Sequence, residues 1–193
     1  MKHLKFSLLS FALIFAMACK DNKKEANDTV DTETDTSIEE KVEVKELKIT
    51  LSPKSASNVE GAVIFIEKDG EVKMKANLSG LDEGEHAIHI HEKADCSSVD
   101  GKSTGGHWNP TAQPHGKWGD TTGYHKGDIG NFSVGADGKG HVEFVTNEWC
   151  IGCGDNTKDI MGKAIIVHQG TDDFTSQPSG AAGSRVSCGG IIE

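Results

Sequence analysis

The sequence predicts an all-β fold, an eight-stranded antiparallel Greek-key sandwich or barrel with two long functional loops. Three observations predict it. Glycine is abundant, with 23 residues against 4 prolines in a chain of 193. β-Branched residues cluster in short alternating runs, and no helical apolar period and no internal repeat occurs. The runs KELKITL, EGAVIFIEK, EVKMKANL and EHAIHIHE read in order as the first four strands. Asp69-Gly70 supplies the hairpin turn between the second and third. A polar loop, about 97–127, then separates EHAIHIHE from IGNFSV and GHVEFVT, which form a hairpin around Ala136-Asp137-Gly138. KAIIVH and RVSCGGII complete the set. The long loop, and the segment between the last two strands, exceed what a hairpin needs and are candidates for function.

Ahead of this domain, placed at 45–193, residues 1–18 read as a secretory signal: Lys2 and Lys5 form a positive start and Phe6 to Ala18 an apolar stretch too short to span a membrane. The end of that stretch, Ala16-Met17-Ala18-Cys19, resembles a bacterial lipobox, in which the cysteine becomes the lipidated N-terminus. The other reading is a plain signal with an incidental cysteine. Residues 19–44 carry many charges and threonines and almost no large apolar groups, so they read as a solvated, lipid-anchored tether. The expected location is periplasmic or cell-surface, with Cys19 as the membrane attachment. The formal net charge of −10 falls to −12 when Lys2 and Lys5 leave with the signal. So acidic a chain excludes a nucleic-acid partner bound through a basic patch. Five cysteines are an odd number, and lipidation of Cys19 leaves Cys96, Cys150, Cys153 and Cys188, which can pair.

The histidines carry the chemistry. On a strand His89 and His91 share one face, about 6–7 Å apart, while Ile88 and Ile90 share the other and should enter the core. His86 has the parity of the isoleucines. The His-Ile-His spacing makes a metal half-site, though two exposed histidines at a strand edge would share it. The long loop adds His107, His115, His125 and Asp128, and KAIIVH ends on His168. Imidazole and carboxylate donors without thiolate suit copper and zinc. A loop with three histidines and an aspartate can close a tetrahedral zinc site. His89, His91 and His168 need one more ligand for copper, and a doubly deprotonated His107 can serve both ions.

Taken together, G-E-H-A-I-H-I-H-E, Cys96, G-G-H-W-N-P, H-x9-H-x2-D, V-H-Q-G-x-D-D and G-S-R-V-S-C-G resemble the copper,zinc superoxide dismutases over residues 45–193. The resemblance implies superoxide dismutation to O2 and H2O2, with copper on His89, His91, His107 and His168. It places zinc on His107, His115, His125 and Asp128, with His107 as the bridge that also takes up and returns a proton. It implies that Asp172 links the rings of His89 and His115 and that His86 braces the loops. It places Arg185 beside the copper to attract the anion, and pairs Cys96 with Cys188. Relatives occur as monomers and as homodimers with different interfaces, so both states stay open.

The sequence departs from the family pattern in three places. Trp149-Cys150-Ile151-Gly152-Cys153 is additional, and a local Cys150–Cys153 disulfide is the first expectation for exported cysteines, beside a redox switch or an extra metal site. The stretch from His168 to Arg185 is short and lacks lysine, so Lys117 or Lys126 is expected to supply the guiding charge. The His115–His125 spacing is one residue longer. A metal-binding or copper-delivery module without turnover is the rival from another functional class; a copper-only dismutase is disfavoured by the full zinc set. For the N-terminus, Cys19→Ser should release soluble protein from the membrane fraction, and continued partitioning into membranes would point to a different anchor.

Overall fold

Residues 43–193 are described by a computed structural model. The signal, Cys19 and nearly all of the tether lie outside the described residues. Eight strands follow in order: β1 Val44–Pro53, β2 Glu60–Lys68, β3 Glu71–Ser79, β4 Gly84–His91, β5 Gly130–Val134, β6 Gly140–Thr146, β7 Ala164–His168 and β8 Arg185–Gly190. Every strand read from the sequence is present, and β1 begins one residue earlier than the domain boundary expected at 45. The order around the closed barrel is β1-β2-β3-β6-β5-β4-β7-β8, with all neighbours antiparallel. The jump from β3 to β6 and the return through β5 and β4 make the Greek key. Closure removes the unpaired edges that would otherwise invite aggregation. A single 3-10 turn, Lys102–Thr104, interrupts the long loop.

Alternation along each strand fills the interior. Val63, Phe65, Val72, Met74, Ile88, Ile90, Ile165 and Val167 are buried in one continuous core. The β2–β3 hairpin closes on Asp69 and Gly70, both at positive φ, as a tight two-residue turn requires.

The opposite face of β4 and β7 is also buried, which alternation alone would not predict. His89 and His91 are fully inaccessible, as are Ala164 and Ile166, which pack with Cys188 and Cys96 in a second apolar cluster. The long loops lie over this face. Three contacts fix that cover. β4 pairs with β5 only as far as Ile88, and beyond it the loop takes over the vacated edge. Ile90 N–H donates to Gly127 O at 2.9 Å, and Trp108 N–H donates to Ile90 O at 2.8 Å. A Cβ at Gly127 would sit 2.1 Å from Ile90 O, so only glycine permits the approach. The Cys96–Cys188 disulfide ties the start of the loop to β8. It closes a segment of 92 positions, a constraint worth on the order of 4–5 kcal/mol in the chain-entropy account. The second bridge, Cys150–Cys153, is local.

A register shift falls between Val167 and His168 of β7. Val167 faces Ser187 while His168 faces Arg185, so β8 carries one extra residue, Val186. Such a bulge re-aims the side chains at a barrel rim, and here it sets Arg185 opposite His168.

Because Ile90 anchors the inner side of the strand whose outer side holds His89 and His91, Ile90→Ala should cost about 2–5 kcal/mol of unfolding free energy. Denaturant titration of the metal-free protein checks this, and a change under about 1 kcal/mol would contradict the packing described.

Candidate metal centre

Two groups of buried donors lie in contact. His89, His91, His107 and His168 form one, and His107, His115, His125 and Asp128 the other; within each, the candidate ligand atoms lie within 4.8 Å of one another. Strand ends supply His89, His91 and His168, whereas the long loop supplies the rest. The loop reaches β4 through an isolated bridge between His91 and His107. The His89 and His107 rings are 4.0 Å apart at their centroids.

In four of the rings the nitrogen facing away from the cluster is held, and that determines which nitrogen is left. His91 Nδ1–H donates to Gly105 O at 3.0 Å, and His168 Nδ1 lies 3.4 Å from Gly183 O. His89 Nε2 and His115 Nε2 meet the two oxygens of Asp172, each at 2.9 Å. An N–H committed outward leaves a lone pair facing inward. His89 Nδ1, His91 Nε2, His107 Nε2 and His168 Nε2 are accordingly buried without a hydrogen-bond partner, and so are His115 Nδ1 and His125 Nδ1. A buried polar atom left unpaired costs about 1–3 kcal/mol. Six of them converging on two points describe sites for cations.

The second group adds a distance argument. Asp128 oxygens lie 2.8 Å from His107 Nδ1, 3.0 Å from His115 Nδ1 and 3.2 Å from His125 Nδ1. The last two pairs are close but not aligned for hydrogen bonds. Ligands at zinc bond lengths in a tetrahedron stand about 3.3 Å apart, so the spacing suits a shared ion. Nitrogen and carboxylate donors without thiolate fit zinc at this group, and four imidazoles fit copper at the other.

Electrostatics prepare both groups. Burial pushes His91 and His168 well below the ordinary histidine value, and neighbouring rings push further. Burial also lowers His107 to about 4, against the opposing pull of Asp128. These rings are neutral at pH 7 and ready to bind a cation. His115 differs. Burial acts to lower it, but the Asp128 and Asp172 carboxylates together raise it to about 9. Burial would raise both carboxylates, yet the histidines set against them, with His107 bonded to Asp128 and His89 and His115 bonded to Asp172, hold them below the usual range.

Asp172 and His115 are themselves held. Asn131 on β5 clamps the Asp172 backbone, its Nδ2 donating to Asp172 O and its Oδ1 accepting from Asp172 N–H, both at 2.8 Å. Gln177 clamps the His115 backbone in the same reciprocal way at 2.9 Å. Gly180 leaves the space beside Asp172, since a Cβ there would sit 1.8 Å from Asp172 Oδ1. The motifs gave no sign of Asn131, Gln177 or Gly180, and the first two lie 41 and 62 positions along the chain from the residues they support. His86 bridges the carbonyls of His168 and Asp82 at 3.0 and 2.9 Å, the bracing place expected for it.

Beside the first group opens a cleft of about 500 Å³, lined by His91, His107, His168, Arg185 and Lys102 among others. Arg185 Nη1 donates to Gly101 O at 2.9 Å and to Thr104 Oγ1 at 3.0 Å, which holds the guanidinium in the cleft wall. The expectation for Lys117 or Lys126 needs correction. Neither lines the cleft, and Lys126 is paired with Glu148. Lys102, on the 3-10 turn, is the lysine at the rim. It was missed because its place there depends on how the loop folds back.

Residues 59–191 match the family model described as copper/zinc superoxide dismutase (SODC). The chain is 36% identical over 143 residues to "Superoxide dismutase [Cu-Zn] 2" of Aquifex aeolicus strain VF5, covering 69% of this chain and 82% of that one. Among solved structures it resembles a SOD-like protein from Bacillus subtilis, with a TM-score of 0.66, 31% identity and coverage of 75% of this chain and 97% of that one. A double mutant of that protein, with a tyrosine and a proline replaced by histidine, aligns with a TM-score of 0.68 at 33% identity, over 76% and 97% of the two chains. The paired ligand groups around His107 and the match across nearly the whole barrel agree: the chain belongs to the copper/zinc superoxide dismutase family.

Proposed function

We propose that the protein dismutes superoxide, 2 O2•− + 2 H+ giving O2 + H2O2, with copper held by His89, His91, His107 and His168 and zinc held by His107, His115, His125 and Asp128. One observation carries this reading. His107 presents Nε2 to the first group and Nδ1 to the second, in a buried ring beside an open cleft. Bound copper supplies the one-electron couple that oxidises one superoxide and reduces the next, while zinc has no redox chemistry of its own.

The residues supply the rest. His107 Nε2 holds a proton in one half of the cycle and yields it to the departing peroxide in the other, with Nδ1 tied on the zinc side. Asp172 couples the two halves, since one carboxylate orients a ring of each. The substrate is an anion and the chain has a net charge of −10, so a local positive field must draw it in. Arg185 in the cleft wall provides that field, and Lys102 at the rim, paired with Asp100 at 3.1 Å, adds less. Guanidinium suits the task because it stays charged and offers several donors to a small anion. The rival reading, a metal-binding module without turnover, does not require a guanidinium in the wall of an open cleft. Export and lipid attachment at Cys19 belong to the same proposal and would place the activity outside the cytoplasm.

His168→Ala should abolish dismutation and weaken copper uptake while the cooperative unfolding transition persists; full activity in that variant would refute the ligand set. Arg185→Ile should lower the rate constant per copper by about tenfold or more, with reduced salt dependence, and an unchanged rate would count against guidance. Below pH 9 the metal-free His115 holds a proton that zinc must displace. Zinc affinity should therefore rise by about tenfold per pH unit from His115 alone between pH 6 and 8. Calorimetry in buffers of different ionisation enthalpy should count about one released proton per zinc on that account, and none would show that the metal-free His115 ring is already neutral.

A further inference from the structure

Glu148 and Trp149, immediately after β6, grip the stretch that carries His125. The Trp149 indole Nε1–H donates to Lys126 O at 2.9 Å, a carbonyl lying in sequence between His125 and Asp128. Glu148 accepts from the Tyr124 hydroxyl at 2.7 Å and pairs through its other oxygen with the Lys126 ammonium. The grip continues at the rings. Trp118 packs on Tyr124 and Phe144, both at 4.9 Å, and edge-on to Trp149 at 5.7 Å. Trp118 and Tyr124 both lie between His115 and His125, so the loop is stitched to the barrel along its length.

The gripping residues are themselves fixed. Trp149 is buried against Phe144 and Phe65. Cys150, the next residue, is bridged to Cys153. Ile151 N–H donates to Glu67 on β2 at 2.8 Å, and Lys45 on β1 donates to Ile151 O at 2.9 Å. The Asp159 carboxylate accepts from Gly152 and Gly154 N–H at 3.0 and 2.8 Å. The additional Cys-Ile-Gly-Cys turn thus has a task that a surface ornament would lack.

We propose that Glu148 and Trp149 are positioning residues for the zinc half-site, setting its affinity through His125, with the Cys150–Cys153 turn as their anchor on the barrel. The proposal rests on the assignment of zinc to His107, His115, His125 and Asp128. A ligand on a loop must be ordered when it binds, and contacts that order it beforehand remove that cost. Copper is insulated, because three of its four ligands stand on strand ends and only His107 on the loop.

The test uses the purified protein with Glu148→Gln, Trp149→Phe, Tyr124→Phe and the Tyr124/Glu148 double variant. Zinc and copper affinities are measured separately by chelator competition, and cobalt in the zinc half-site reports its geometry by absorption. Glu148→Gln and Trp149→Phe should each weaken zinc by about tenfold or more, in the range seen when supporting partners of metal ligands are removed. Copper affinity should stay within about twofold, and the cobalt bands should shift. The double variant should lose more than Glu148→Gln alone, since a glutamine still accepts from the Tyr124 hydroxyl and only the change at Tyr124 removes that bond. Zinc affinity unchanged to within about twofold, or equal weakening of both metals, would overturn the proposal, because general loosening does not discriminate between ions. If Trp149→Phe does not fold, Glu148→Gln decides alone. An unmodified protein that takes up no zinc overturns the zinc assignment, and this inference with it.

Discussion

The ring of His107 is the joint on which the site depends. Its two nitrogens face two different sets of donors, and it is buried where water cannot satisfy either. A buried imidazole surrounded by other imidazoles and a carboxylate is costly without cations. The surrounding structure exists to hold that arrangement still. The strand ends fix one set of donors, the loop fixes the other, and Asp172 spans both with one oxygen on each side.

The barrel makes this arrangement affordable. Its core lies inside, so the outer face of β4 and β7 is free to carry a polar centre. The loops then cover that face, and a glycine at 127 lets the backbone of the loop continue the sheet past Ile88. The Cys96–Cys188 link and the contacts of Glu148 and Trp149 hold the loop from two other directions. The result is a centre buried like a core but open on one side, where Arg185 meets the cleft.

Much of this was legible in the chain. The strands followed from alternation, and the shared face of His89 and His91 followed from the period of two. The donor types pointed to copper and zinc. Other features were not legible for definite reasons. Nothing in the alternation said that the face opposite the isoleucines would be buried as well, because that depends on where the loops settle. Asn131 and Gln177 read as ordinary polar residues, since a clamp is visible only when both partners are in place. Lys102 was passed over in favour of Lys117 and Lys126 because a loop of some thirty residues does not declare which side chains meet the cleft. The extra residue at Val186 was hidden for the same reason, as a bulge is a relation between two strands.

The sequence by itself determined the periodicity of the strands, the choice of nitrogen and oxygen donors and the turn chemistry, because these are local properties of neighbouring residues. Tertiary structure alone decided which lone pairs converge, which carboxylate holds two rings at once and which cation reaches the cleft. Those depend on distances between residues remote in the chain, and only closure of the barrel and the folding of its loops sets them.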